Sequence, residues 1–264
     1  MRRRASRATL AVAAATYLFL HLPVLILVLF SFNASRYSVT WTGFTLGWYR
    51  RLAERTDLLR GLRVSLLVGA ISTATATVFG TLLALSLARR RVRGRRVMEA
   101  LLYLPIVTPE IVAGISLLVW FVALGIPLGI GTITIAHIAF NLAFVAVVVR
   151  ARLEGMDESL EEAALILGAD ELTAFRTVTV PQLWPGILAG ALLAFTLSFD
   201  DYVITSLVAG TGSSTLPIIV YSMVRRNVEP TVNAISTLIL VTTSLLIWLA
   251  YRLTRERPLA TARG

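Results

Sequence analysis

The sequence predicts an all-α integral membrane protein with six transmembrane helices, and three observations carry that expectation. Of its 264 residues, 56% are hydrophobic, and the mean hydropathy of +0.77 is too high for a soluble domain. Six apolar runs are each long enough to cross a hydrocarbon core about 30 Å thick: roughly Leu10–Phe30, Leu62–Ala88, Val97–Leu124, Thr132–Val149, Gly186–Ala209 and Val232–Tyr251. The arginines cluster at the ends of these runs, which is how basic residues set orientation in a membrane.

The first run follows Arg2, Arg3 and Arg4 and could pass for a secretory signal. It is too long for a signal h-region and no clean small-x-small cleavage site follows, so it reads as a retained span. Between the first and second runs, Ser31–Gly61 carries Trp41, Trp48 and Tyr49, aromatics suited to the headgroup level. Leu46–Leu59 is expected to be a short helix lying on the outer surface. The loop Gly125–Gly131 is short enough to make the third and fourth spans antiparallel neighbours. Before the fifth run lies Leu160–Gly186, a polar-containing segment lodged between apolar ones. Glu161–Leu167 has helix-forming residues throughout, and Gly168 ends it where a left-handed cap is cheap. Asp170–Val178 begins again with acids in its first turn and is expected to stop before Pro181. No repeat, low-complexity tract or linker divides the chain, so residues 1–264 read as one transmembrane domain.

Orientation follows from the arginines. A cytoplasmic N-terminus places Arg2, Arg3, Arg4 and Arg7 inside, with the group from Arg89 to Arg96, then Arg150, Arg152 and Arg176, and finally Arg252, Arg255, Arg257 and Arg263. That is 17 arginines inside against 8 outside. Both termini and the Leu160–Gly186 elbow are therefore expected in the cytoplasm. Arg36, Arg50, Arg51, Arg55, Arg60 and Arg63 run against the rule, with Glu54 and Asp57 offsetting them in part.

Composition also excludes several chemistries. The net charge of +10 comes without a single lysine, and its placement at span ends argues against nucleic-acid binding. With no cysteine there is no disulfide, Cys-ligated zinc or thiol nucleophile, and His21 and His137 are too few for a histidine metal site. No cofactor and no catalytic group are expected. Without lysine there is no Walker A motif, so this chain does not bind ATP in that way.

Ionisable residues within spans are functional candidates. Three carboxylates qualify: Glu110 in the third run, Asp200 and Asp201 in the fifth. Each run reaches its acid 14 residues after entry, from Arg96 and from Gly186. On straight helices both levels lie about 21 Å from the cytoplasmic edge. Thr108-Pro109-Glu110 reads as N-cap, proline at the first helical position and an acid in the first turn, so the third run is expected to be kinked or broken there. Glu110 either lines a cavity or complements its own helix N-terminus. Asp200 and Asp201 sit about 100° apart on a helix, so one can line the pathway while the other pairs with Arg225 or Arg226, or caps a break. His137 and Asn141 lie one turn apart on the fourth run; His137 reads as a packing histidine, as does His21, and Asn141 as a pathway candidate. Phe195, Phe199, Tyr202, Trp120 and Phe121 offer aromatic faces near this level. Acids and aromatics at one depth suit a cation with two or more ammonium groups.

Two sets of residues resemble a known pattern. Glu161, Glu162-Ala163-Ala164, Gly168-Ala169 and Val178-Thr179-Val180-Pro181 resemble the EAA loop of binding-protein-dependent ABC import permeases, over about residues 151–185. Leu104-Pro105, Pro109-Glu110-Ile111-Val112-Ala113-Gly114-Ile115-Ser116, Leu197-Ser198-Phe199-Asp200-Asp201-Tyr202-Val203-Ile204-Thr205 and Thr215-Leu216-Pro217 are similar to the spermidine/putrescine permeases, in particular their second (PotC-type) subunit. Asn33, Phe44-Thr45-Leu46 and Trp48-Tyr49 add to the likeness, which covers nearly the whole chain. The resemblance implies a type I ABC importer permease (MetI-like) fold in a bacterial inner membrane. It implies three partners: an ATP-binding subunit docked on the elbow, a second and different permease chain, and an extracytoplasmic substrate-binding protein. It also implies a translocation pathway for a polyamine. Permeases for other amines, opines or ferric complexes share some of the pattern. An ion-coupled carrier using Glu110, Asp200 and Asp201 as a proton relay is the alternative from another class.

Overall fold

The computed structural model describes residues 7–36, 40–88, 94–157, 159–226 and 230–255, and every long element among them is a helix. In order these are α1 (Arg7–Phe30), α2 (Gly47–Glu54), α3 (Thr56–Ala88), α4 (Arg95–Val107), α5 (Glu110–Ala123) and α6 (Ile130–Glu154). There follow α7 (Ser159–Ile166), α8 (Glu171–Ala174), a π-helical turn (Phe175–Thr179) and α9 (Val180–Asp200). The last described elements are α10 (Val203–Val208), α11 (Leu216–Arg226) and α12 (Pro230–Arg255). Among the described residues, four helical stretches are long and apolar enough to cross a membrane: Ala8–Phe30, Thr56–Ala88, Ile130–Glu154 and Glu171–Asp200. The α4–α5 pair makes a fifth if counted as one broken span.

The chain forms two compact units, one joining the residues up to Leu58 with those from Val220 onward, the other running Leu59–Ile219. In the first, α1 is apolar all round and exposed along its length, as a helix facing lipid must be. Just past its end, Asn33 organises the loop. Its Nδ2 donates to the Thr40 carbonyl at 2.7 Å and its Oδ1 accepts from the Thr42 amide at 2.9 Å. Its own carbonyl receives the Trp48 indole N–H at 2.7 Å. Trp48 and Leu52 are buried where α2 packs on α12. The expected surface helix Leu46–Leu59 is two elements: α2 ends at Glu54, Arg55 is extended, and Thr56 already starts α3. The second span thus begins six residues before the apolar run at Leu62 and holds 33 residues.

The second unit is built on α6 and α9, which share the longest helix–helix contact. Ala143, Val145, Ala146 and Val149 of α6 and Leu183 and Ala194 of α9 bury one cluster with Ala76, Ala84 and Leu87 of α3 and Leu102 of α4. A second cluster gathers Phe121, Ile133, Ala136, Ile204 and Val208, joining α5, α6 and α10. Here α5 and α10 approach closely: a methyl on Gly114 would lie 3.4 Å from Ile204 Cα and 2.6 Å from Leu207 Cδ1.

Two of the six predicted runs are not straight spans. The third breaks at Thr108–Pro109, and α4 and α5 differ in direction by 108°. The fifth breaks at Asp201, whose backbone is extended (φ −65°, ψ 124°), and resumes as α10. Conversely, the expected stop before Pro181 does not occur, and Glu171–Asp200 is continuous helix. A proline interrupts a regular α-helix because it lacks an N–H and clashes with the carbonyl one turn back. The π turn immediately before it changes the local register: the Val180 N–H reaches the Phe175 carbonyl, five residues back, and Pro181 falls in the first turn of α9.

Candidate functional site

The acids of the broken helices divide into two kinds. Asp201 turns inward, onto the helix that follows it. Its Oδ2 accepts from the Thr205 amide at 2.7 Å and the Thr205 hydroxyl at 2.6 Å, and its Oδ1 accepts from the Ile204 amide at 3.3 Å. Those amides are among the donors that a helix start leaves without an internal partner, so the carboxylate caps α10. His137, only 3% exposed, completes the arrangement. An ionised carboxylate only accepts, so the Nε2–H is assigned as donor toward Asp201 Oδ2 (3.2 Å) and Thr205 Oγ1 (2.9 Å). Nδ1 pairs with the Ser198 hydroxyl at 2.7 Å, which in turn meets the Ser72 hydroxyl at 3.1 Å. Four helices are thus tied at the break, and Thr132 adds a hydroxyl donated to the Val208 carbonyl at 2.8 Å. Of the alternatives open to Asp201, capping is the one realised.

Asp200 and Glu110 are exposed. Asp200 is the last residue of α9, and Glu110 the first of α5. The bend of 108° replaces the straight helix on which the depth of Glu110 was reckoned. What relates the two breaks is contact between α5 and α10: Glu110 lies one turn before Gly114, and Asp201 three residues before Ile204, which Gly114 meets. Thr108 does not cap α5 as expected; its hydroxyl donates back to the Leu104 carbonyl at 2.7 Å, and Pro109 occupies the boundary without a side-chain cap. Tyr202 is half-buried at the start of α10, and Asn141 is fully buried on α6. Among the aromatics, Phe195 stacks on Phe199 at a centroid separation of 5.9 Å, and Trp120 lies tilted by 45° against Phe121 at 5.6 Å. Ser72, Ser198 and Thr205 are partners that the sequence reading missed. The spacing Asp201–Thr205, an acid followed by amides at a helix start, was the available signal for the last of them.

The elbow folds as its residues suggest. Helix α7 closes with the Ala169 amide on the Ala164 carbonyl (3.1 Å) and the Gly168 amide on the Leu165 carbonyl (3.0 Å). That is the double-bonded helix end in which the residue after the cap takes the left-handed region, and Gly168 does so at φ +95°. Asp170 then caps α8 through the Thr173 amide at 3.0 Å. Its hydrogen bonds with Thr173 hold its carboxyl below the usual carboxylate range. Glu162 and Ala163 are exposed, Glu161 and Ala164 half-buried. Glu161 receives the Thr179 hydroxyl at 2.7 Å, fastening α7 to the π turn that leads into α9. At the tip, Ile166 and Leu167 are 85% and 88% exposed. Beside the elbow, Arg150 bridges Glu99 and Glu154, each at 3.0 Å, and the Arg152 guanidinium donates to the Gln182 carbonyl at 3.0 Å.

Two broken apolar helices carry carboxylates at their breaks, and one of them leads back to an elbow with an apolar tip. Residues 76–257 match the family of binding-protein-dependent transport system inner membrane components, and the chain belongs to that family. It is a permease subunit of an ABC importer, and the family implies an ATPase and a binding protein as partners. The chain is 41% identical, over 92% of both sequences, to the spermidine/putrescine transport system permease protein PotC of Escherichia coli K12. It is also 41% identical to the putrescine transport system permease protein PotI of the same strain, over 90% of this chain and 87% of that one. Among solved structures it is similar to a bacterial ABC transporter importing the acidic polysaccharide alginate (TM-score 0.74, 18% identity, 95% of this chain and 99% of that one). It is similar too to the MetNI methionine ABC transporter (TM-score 0.64, 20% identity, 75% and 95%). These two likenesses carry the fold.

Proposed function

We propose that this protein forms half of the translocation pathway of a polyamine importer in a bacterial inner membrane, paired with a second, different permease chain. The observation that carries the reading is the pair of helix breaks, each with an exposed acid, Glu110 and Asp200. A linear cation with an ammonium at each end finds complementary charge there, whereas an anion would be repelled. The 41% identity to the two polyamine permeases supports the same cargo. The chain acts as one permease domain of six spans with both termini cytoplasmic, the arrangement that the arginine distribution supports. Its sixth span is α12, and its third and fifth are broken.

The elbow, about residues 151–185, is the energy inlet. Ile166 and Leu167 offer the ATPase an apolar tip, with Glu162 and Ala163 beside it. Gly168-Ala169 sets the reversal, and the Glu161–Thr179 bond passes movement to α9. Pro181 opens that helix, and Asp200 ends it. ATPase closure therefore reaches the acid through one continuous helix, and rocking of the spans gives alternating access. The test is ATPase activity of the reconstituted complex with its binding protein, titrated with putrescine, spermidine, ferric ion and a neutral sugar. Stimulation by the amines alone is the expected result. Stimulation by iron or sugar, or amine uptake by this chain without ATPase, would replace the reading.

A further inference from the structure

Asn141 is 0% exposed, and both its amide oxygen and its amide nitrogen are enclosed without a protein hydrogen-bond partner. Three more enclosed oxygens without partners lie one turn apart along α3, the hydroxyls of Thr73, Thr77 and Thr81. The contacts between α3, α6 and α9 set their levels. At one level the Ser72 hydroxyl meets Ser198, which meets His137. Further along α3, a methyl on Gly80 would meet Val145 Cβ at 2.9 Å and the Leu142 carbonyl at 3.0 Å. The two helices therefore run side by side in the same direction here. Thr77 falls between Ser72 and Gly80 just as Asn141 falls between His137 and Val145. Asn141 stands one turn, about 6 Å, beyond His137 and hence beyond the Asp201 break.

Enclosing an amide without partners is costly in a low-dielectric interior. A leucine of similar volume would carry no such cost. We propose that Asn141, with Thr77 at its level, is a neutral-oxygen station for one alkylammonium group of the cargo. It is reached after the carboxylates and closed, in this conformation, by the contact at Gly80. Asn141 Oδ1 and the threonine hydroxyl would each accept from an ammonium N–H, since neither has a protein partner. Neutral acceptors hold a cation less tightly than carboxylates do, so the second station takes an ammonium that it can later release. The proposal rests on the polyamine reading and adds a second site to it.

The experiment uses the assembled importer, with putrescine and spermidine uptake and thermal stability measured side by side. Asn141→Leu is expected to assemble, to melt at or above the wild-type temperature, and to lose about ten-fold in uptake, the worth of one neutral hydrogen bond. Thr77→Val, nearly isosteric, is expected to lose uptake in the same sense with the melting temperature unchanged. Asn141→Asp is expected to lower both KM and kcat, because a charge at a release station retains the cation. Wild-type uptake by Asn141→Leu overturns the station. So does a fall in melting temperature that accounts for the lost uptake, since the amide is then architectural, with a resident water as its partner. Failure of the wild-type complex to take up either amine would instead overturn the polyamine reading.

Discussion

The two broken runs solve the same problem by different means. Where α9 gives way to α10, the freed amides of Ile204 and Thr205 meet Asp201, and His137, Ser198 and Ser72 extend the bonds across neighbouring helices. Where α4 gives way to α5, Thr108 bonds back into the helix it ends, and proline covers the boundary. The first break is locked by side chains from neighbouring helices, the second by bonds within the helix that ends there. The lock occupies one acid of three. Asp201 is held in the cap of α10, whereas Glu110 and Asp200 are exposed.

That contrast can be broken by mutation. Asp201→Ala should have the largest effect, leaving two amides, a hydroxyl and His137 without their acceptor inside the bundle. A loss of about 3 kcal/mol is expected, seen as poor assembly with the partner permease and a lower melting temperature. Stable assembly with only a transport defect would make Asp201 a cargo contact instead. Gly168→Val acts in the turn just before the continuous helix Glu171–Asp200 begins. A β-branched residue at φ +95° is strained although no atom crowds the site. The expected outcome is an inserted, assembled complex whose ATPase no longer responds to cargo, whereas unaltered uptake would remove the elbow from the coupling route.

Asp200→Asn should spare assembly and weaken uptake about ten-fold, the order expected for one solvated charge contact. If it damages folding as Asp201→Ala does, the two acids do not differ in kind. Thr108→Val should be the mildest, within about 0.5 kcal/mol of wild type, because its hydroxyl duplicates a bond that the backbone already makes. A large loss there would show that the α4–α5 break is locked by side chains after all.

Much of this was legible beforehand. Helix α7, the reversal at Gly168 and the start of α5 at Glu110 all follow from local rules, since caps, glycine and proline act within a turn of themselves. The Pro181 stop failed because a π turn, set by how the elbow packs through Glu161 and Thr179, absorbs the proline. The surface helix after Leu46 was too long by the residues that Thr56 recruits into α3. Asp201 could not be told from Asp200 by position, because which one faces inward depends on where α9 breaks.

The sequence by itself determined that this is a multi-pass membrane protein, that it carries an EAA-type elbow, and that its intramembrane charges are acidic. Hydrophobic run length, turn chemistry and charge sign are properties of local residues. Only the tertiary structure decided which acid is spent on capping, that His137 serves that cap, and that Asn141 is buried without a partner. Those are facts about what stands opposite a side chain, and residues 60 to 130 positions away in sequence supply it.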